Sequence, residues 1–178
     1  MTFSIQEAIS LLEKTPVTLQ SMLGGLSMQW TTANEGEDSW SAYDVVGHLV
    51  HGEQTDWMPR LEKVLADGPI KTFDPYDRFA QLKASKGKSI EQLLATFALL
   101  RKKNLKNLRA KKLTEDHLSK TAIHPSLGKI ELKQMLSAWV VHDLGHIVQI
   151  ARVLAKQYKD EIGPWTQYLT VVNHTPKE

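Results

Sequence analysis

The feature that most limits what this chain can become is its last long segment, from about Glu131 to Asp160. There Leu132, Leu136, Trp139, Ile150 and Val153 fall at helical spacing. Such spacing lays one apolar stripe along an α-helix, and a stripe this long needs other helices to cover it. Inside the segment lies "AWVVHDLGHIVQIARVL", Ala138 to Leu154, with His142 and His146 one turn apart. His146 falls in the stripe and His142 at its edge, so both imidazoles face whatever the helix packs against.

The remaining segments supply the partners. Ile5, Ile9 and Leu12 begin a first helix. At "KTPV" the spacing predicts a break, with Thr15 capping and Pro16 opening a second piece that carries Val17, Leu19, Met22 and Leu23 and stops at Gly24-Gly25. Met28 to Ser39 is polar and Gly-containing, a loop in composition. "SAYD" reads as a capping box, Ser41 with Asp44, opening a long second helix to about Ala66. "DGPIKTFDPYDRF", with Gly68, Pro69 and Pro75, is a long irregular connection of the kind that often borders a site. Ser89 with Gln92 caps a third helix whose Leu94, Phe97, Leu105 and Leu108 face inward. "LTEDHLSKTAIHPSLGKI" is the second connection, and the last helix stops before Gly163-Pro164. No β alternation and no internal repeat stand out. The expectation is an all-α fold, a four-helix bundle with two long connections, as a single domain over residues 1–178.

Composition excludes several classes. Lys plus Arg total 22 against 20 for Asp plus Glu, and a net charge of +2 does not call for a nucleic-acid partner. The basic run "RKKNLKNLRAKK" carries Leu at helical spacing and reads as a solvated helix face. The chain has no cysteine, which removes disulfides, thiolate metal sites and a Cys nucleophile together. "MTFSIQEAISLLEK" lacks the apolar core of a secretion signal, and no run reaches membrane-spanning length, so a cytoplasmic protein without membrane partners is expected. No serine nucleophile elbow, phosphate-binding loop or dinucleotide fingerprint appears.

What remains is histidine chemistry. Residues four apart on a helix have Cβ atoms about 5–6 Å apart, from which two imidazoles can converge on one divalent ion. Hydrogen bonds to a carbonyl or carboxylate would equally account for two inward histidines. A third ligand would come from "GHLVHGE" on the second helix, which offers His48 and His51. His48, flanked by Val45 and Leu49, points further inward. Asp143 and Gln149 lie near enough along the last helix to orient an imidazole or bound water, though an ion pair explains Asp143 as well. Glu53 points well round its helix, leaving a general-base or packing role, while Trp40, Trp57 and Trp139 read as pocket walls or core. His117, His124 and His174 carry no ligand role.

The stretches "WSAYDVVGHLVHGE" (Trp40 to Glu53) and "AWVVHDLGHIVQIARVLAKQY" (Ala138 to Tyr158) resemble the DinB-like superfamily, which includes the YfiT-like metal-dependent hydrolases. "LLEKTPVTL", "HPSLGKIELKQML" and "GPW" extend the resemblance over nearly the whole chain. It implies a bundle in which His48, His142 and His146 bind a divalent metal. His51 sits where the pattern often has another residue, leaving it an alternate ligand, a proton carrier or a surface group. Three neutral imidazoles favour zinc or nickel, with iron or manganese compatible. The resemblance further implies a small-molecule substrate, hydrolysis or transfer with a low-molecular-weight thiol, and a homodimer. The other readings are a non-catalytic metal-binding or stress-response module, and a metal-free bundle whose histidines are hydrogen-bonded core residues.

Overall fold

The computed structural model describes residues 2–173. Four principal helices form the bundle: α1 (Ile5–Leu23), α3 (Ala42–Thr55) continued by α4 (Trp57–Leu65), α6 (Ile90–Ala110) and α8 (Leu132–Lys156). Short helices α2 (Met28–Thr32), α5 (Ala80–Ser85) and α7 (Glu115–Leu118) lie in the connections. Going round the bundle, each principal helix packs on two others in the order α1, α6, α3, α8.

The core has two ends. Ile9, Leu12, Leu61, Leu105, Leu108, Leu132 and Trp139 cluster at one, and Leu19, Leu23, Val45, Leu49, Phe97 and Ile150 at the other. Early α1 thus meets early α8 but late α6, so α1 runs parallel to α8 and α3 parallel to α6. Two consecutive principal helices can run parallel only if the chain between them returns along the bundle. Residues 66–89 make that return, with α5 packed against α3.

Local chemistry sets the helix starts. The Asp44 N–H donates to Ser41 Oγ at 3.2 Å while the Ser41 N–H donates to Asp44 Oδ2 at 3.0 Å. Ser89 and Gln92 repeat the exchange at 3.2 and 2.8 Å. Both boxes match the sequence reading, as do buried Leu94, Phe97, Leu105 and Leu108.

Five expectations need correction. The break at Pro16 is absent, since α1 runs on through it. Proline removes the N–H that would have bonded the carbonyl four residues back, and here that Leu12 carbonyl accepts from Arg101 Nη1 at 2.8 Å. Thr15 does not cap but donates to Asp143 Oδ2 at 2.6 Å. The second helix, expected unbroken to Ala66, changes direction at Asp56 (φ −110°, ψ −75°). Pro59 accounts for this, because its ring crowds the Thr55 carbonyl.

Met28 to Ser39 is not all loop, for α2 forms there and Glu35 anchors the stretch to α8 through Arg152, with Nε to Oε1 at 2.7 Å. The connections also contain strands, β1 (Lys71–Thr72), β2 (Thr121–His124) and β3 (Gly128–Glu131), with β1 parallel to β2 and β2 antiparallel to β3. Strands of two to four residues are too short to show a period of two. Finally α8 ends at Lys156 rather than Asp160, because beyond Val153 no residue up to Asp160 is buried to hold another turn.

Candidate metal centre

Halfway along the bundle the core is polar. Thr15, Glu53, Arg101 and Asp143, one from each principal helix, are buried together between the two apolar ends. Arg101, read from sequence as part of a solvated face, is 1% exposed. Its Nη1 donates to Asp143 Oδ2 at 2.6 Å and its Nη2 to Asp143 Oδ1 at 3.1 Å and to Glu53 Oε1 at 2.8 Å. Asn104 of the same basic run is buried too, donating to Glu53 Oε2 at 3.0 Å.

Burial acts against charge throughout this layer, with different outcomes. It pushes the Glu53 carboxyl above the usual range despite Arg101 and Asn104. On Asp143 it is outweighed by His142, Arg101 and Thr15, which hold that carboxyl below its usual value. Arg101 is likewise held above its ordinary value, because Asp143 and Glu53 overcome burial.

Against this layer, between α3 and α8, three imidazoles converge. His142 Nε2 lies 3.1 Å from His48 Nε2 and 3.1 Å from His146 Nε2. The three ligand atoms fall within 4.8 Å of one another. Each Nδ1 points away. His146 Nδ1 lies 2.8 Å from Gln149 Oε1, so it carries the proton and Nε2 keeps its lone pair inward. His48 Nδ1 lies 3.5 Å from the Tyr76 hydroxyl. His142 Nδ1 is buried without a hydrogen-bond partner and stands 3.9 Å from Asp143 Oδ1. Burial, then the neighbouring histidines, lowers the pKa of His48 to about 3. Burial and His142 lower that of His146 to about 4, so both rings are neutral near pH 7.

Aromatic rings wall the cluster. Trp40 packs on His48 at 4.9 Å between centroids, and Trp57 meets His142 edge-on at 5.2 Å. Trp139 belongs to the core, stacked on Trp57. The turn at Asp56 aims both Asp56 and Trp57 at the pocket, and the return segment 66–89 contributes Tyr76 and Arg78. None of Asp56, Tyr76, Arg78 or Arg101 was singled out from the sequence. For Arg101 the signal was present, since it continues the Ile90, Leu94, Phe97 stripe of α6.

The other sequence candidates lie apart from the three nitrogens. His51 is half-buried with Nε2 3.4 Å from Thr55 Oγ1. Glu53 faces Arg101 rather than the pocket. His117 Nδ1 accepts from the Thr114 N–H at 3.1 Å in a helix cap. His124 lines the pocket mouth, but its Nδ1 accepts from the Ser126 N–H at 3.2 Å in the β2–β3 turn. His174 lies outside the described residues.

Fold and site together define a four-helix bundle carrying a histidine-lined pocket on one flank. The chain belongs to the DinB superfamily, whose family model matches residues 11–150. Among solved structures it is similar to YfiT from Bacillus subtilis, described as a probable metal-dependent hydrolase with an unusual four-helix bundle topology. The TM-score is 0.73 at 23% identity, covering 88% of this chain and 90% of that one. It is also similar to TT2238, a four-helix bundle protein, with TM-score 0.53 at 21% identity, covering 81% and 95%. No curated protein matches the sequence. Among the described residues no helix is long and apolar enough to cross a membrane.

Proposed function

We propose that His48, His142 and His146 hold a divalent metal ion and that the protein is a metal-dependent enzyme acting on small molecules, by hydrolysis or by transfer involving a low-molecular-weight thiol. The observation that carries this reading is the convergence of three Nε2 atoms. Nitrogens bound tetrahedrally at about 2.0–2.1 Å from zinc stand about 3.3 Å from one another. The 3.1 Å separations are close to that edge. With Nδ1 of His146 donating to Gln149, and Asp143 behind Nδ1 of His142, the rings offer lone pairs to a common point and accept a cation there.

Among the described residues the group has three members. Three protein ligands leave a divalent ion a position for water or substrate, which favours catalysis over a structural module with four. A bound ion of this type supplies Lewis acidity, lowering the pKa of coordinated water or thiol. Around it the chain walls the site with Trp40 and Trp57 and orients His146 through Gln149. Nitrogen ligation suits zinc or nickel first, then iron or manganese. The description of YfiT as a probable metal-dependent hydrolase is consistent with this reading. Self-association belongs to the same proposal, since Val141, Leu144 and Val148 leave apolar surface exposed on α8.

The test is elemental analysis of protein purified without tag or chelator, beside His142→Ala and His146→Ala. About one divalent metal per chain, lost in both variants, is the expected result. A parent that carries none and cannot be loaded refutes the metal centre and turns the histidines into core residues.

A further inference from the structure

The pocket over the imidazoles has a volume of about 370 Å³, within the range of small-molecule sites. Two arginines line it, in different states. Arg60 is matched, its Nε 2.6 Å from Asp56 Oδ1. Arg78 forms no ion pair among the described residues. Its guanidinium lies 5.0 Å from the Phe79 ring centre and 5.7 Å from that of Trp40. Aromatic faces hold a guanidinium in place without using up its in-plane N–H donors. Asp77 fixes the loop that presents it, Oδ1 accepting from the Phe79 N–H at 3.0 Å. Arg78 is thus a positioned, uncompensated cation at the rim of the histidine pocket.

The neighbouring chamber, about 610 Å³, shares Asp56, Arg60 and Tyr76 with this pocket but is bordered by Glu62, Asp74 and Asp77. Its cations are already matched, Lys63 by Asp74 at 2.8 Å and Arg60 by Asp56 at 2.6 Å, so it offers an anion no free partner, whereas Arg78 does. Planar, two-pronged recognition is what a guanidinium offers a carboxylate.

We infer that Arg78 is a specificity-determining residue, selecting small molecules that carry a carboxylate and holding that group while the other end of the molecule reaches the imidazole cluster. For that far end the inference rests on the metal reading above. Exposure of Arg78 lets the side chain be changed without disturbing the core.

The test uses cobalt(II)-loaded protein and two thiols of equal length, 3-mercaptopropionate and its neutral amide, with binding read from thiolate-to-cobalt absorbance. Arg78→Gln should weaken 3-mercaptopropionate about tenfold, as expected for one charge-assisted contact, and move the amide less than twofold. Arg78→Lys should retain part of the preference. Equal losses for both thiols would show a merely structural arginine, and no loss for either would remove it from recognition; each overturns the inference. A second measurement does not depend on metal: quenching of tryptophan emission by iodide, an anion, and by acrylamide, a neutral molecule, in chelator-treated protein. Arg78→Gln should lower the iodide constant alone. If cobalt does not bind, the metal reading fails, and the iodide result by itself upholds or overturns the anion selectivity of Arg78.

Discussion

Removing the Arg101 guanidinium tests the layer on which the bundle and its site both depend. Arg101→Leu keeps much of the apolar volume but strips Glu53 of contacts at 2.8 and 3.1 Å and Asp143 of contacts at 2.6 and 3.1 Å. It also frees the Leu12 carbonyl that Pro16 cannot serve. Losing one partner of a buried pair costs about 3–5 kcal/mol, and an unsatisfied buried carbonyl about 1–3 kcal/mol. Asn104 and Thr15 still donate to the two carboxylates, so the losses do not double. The expected deficit is about 5 kcal/mol, comparable with the whole stability of a marginal domain. Urea unfolding at pH 7.5 in chelator measures it. In the variant the freed carboxyls have raised folded pKa values, so their penalty grows as pH rises and shrinks towards pH 5. Should Arg101→Leu fail to fold, Glu53→Leu/Arg101→Leu/Asp143→Leu removes the stranded charges and should recover most of the loss. A deficit below about 1 kcal/mol, or a triple variant no better than the single one, refutes the reasoning.

Gly47, next to His48, is where α5 comes close, and a Cβ there would collide with Ser85 Oγ. Gly47→Ala should destabilise by about 1–3 kcal/mol in thermal or urea unfolding, with Ser85→Gly in the same chain restoring part of it. The metal-free protein should weaken in acid. His48 and His146 fall from 6.5 to about 3 and about 4 on folding, so the unfolded chain takes up their protons first. Stability is full above about pH 6.5 and is lost as pH falls towards the folded values, by up to about 4 kcal/mol at pH 5 for the two together. A flat profile of unfolding free energy between pH 7 and pH 5 would contradict the burial of neutral rings.

What the sequence made legible was local or periodic. Capping boxes at Ser41 and Ser89 involve residues three apart, and the stripes on α6 and α8 follow from helical spacing. The polar layer was equally periodic but only partly read. Asp143 fills the gap in the run Leu132, Leu136, Trp139, His146, Ile150 and Val153 at alternating steps of four and three, and Arg101 does the same on α6. Reading the charge of Arg101 as exposure hid its position, whereas Asp143 was read as a neighbour of the imidazoles or an ion-pair partner, and it makes that pair with Arg101. Non-local effects left no such trace. Pro16 looks like a helix break until the Leu12 carbonyl finds a donor 89 residues away, and the three strands pair across two separate connections. Pro59 is a local signal for the turn at Asp56, but the second helix was read straight through it. The choice of His48 over His51 as the residue facing His142 and His146 followed from its apolar flanks, and the fold brings His48 beside them.

A charged layer is an expensive way to fill a bundle, since well-packed apolar side chains of similar volume are often as stable or more so. What it supplies instead is register. Glu53 lies five residues from His48 on α3, Asp143 adjoins His142 on α8, and Arg101 of α6 grips both carboxylates. An apolar stripe slid by one helical turn, about 5.4 Å, still buries apolar surface. The same slide of α8 would strand Arg101 and Asp143, and would draw the 3.1 Å pair of His48 and His142 nitrogens apart. The guanidinium therefore ties the position of one pair of imidazoles to that of the third to within a fraction of a turn. On the proposed metal reading three donors from two separate helices would need that tolerance to meet one ion, and Thr15, reaching the same Asp143 from α1, fixes α8 from its other side.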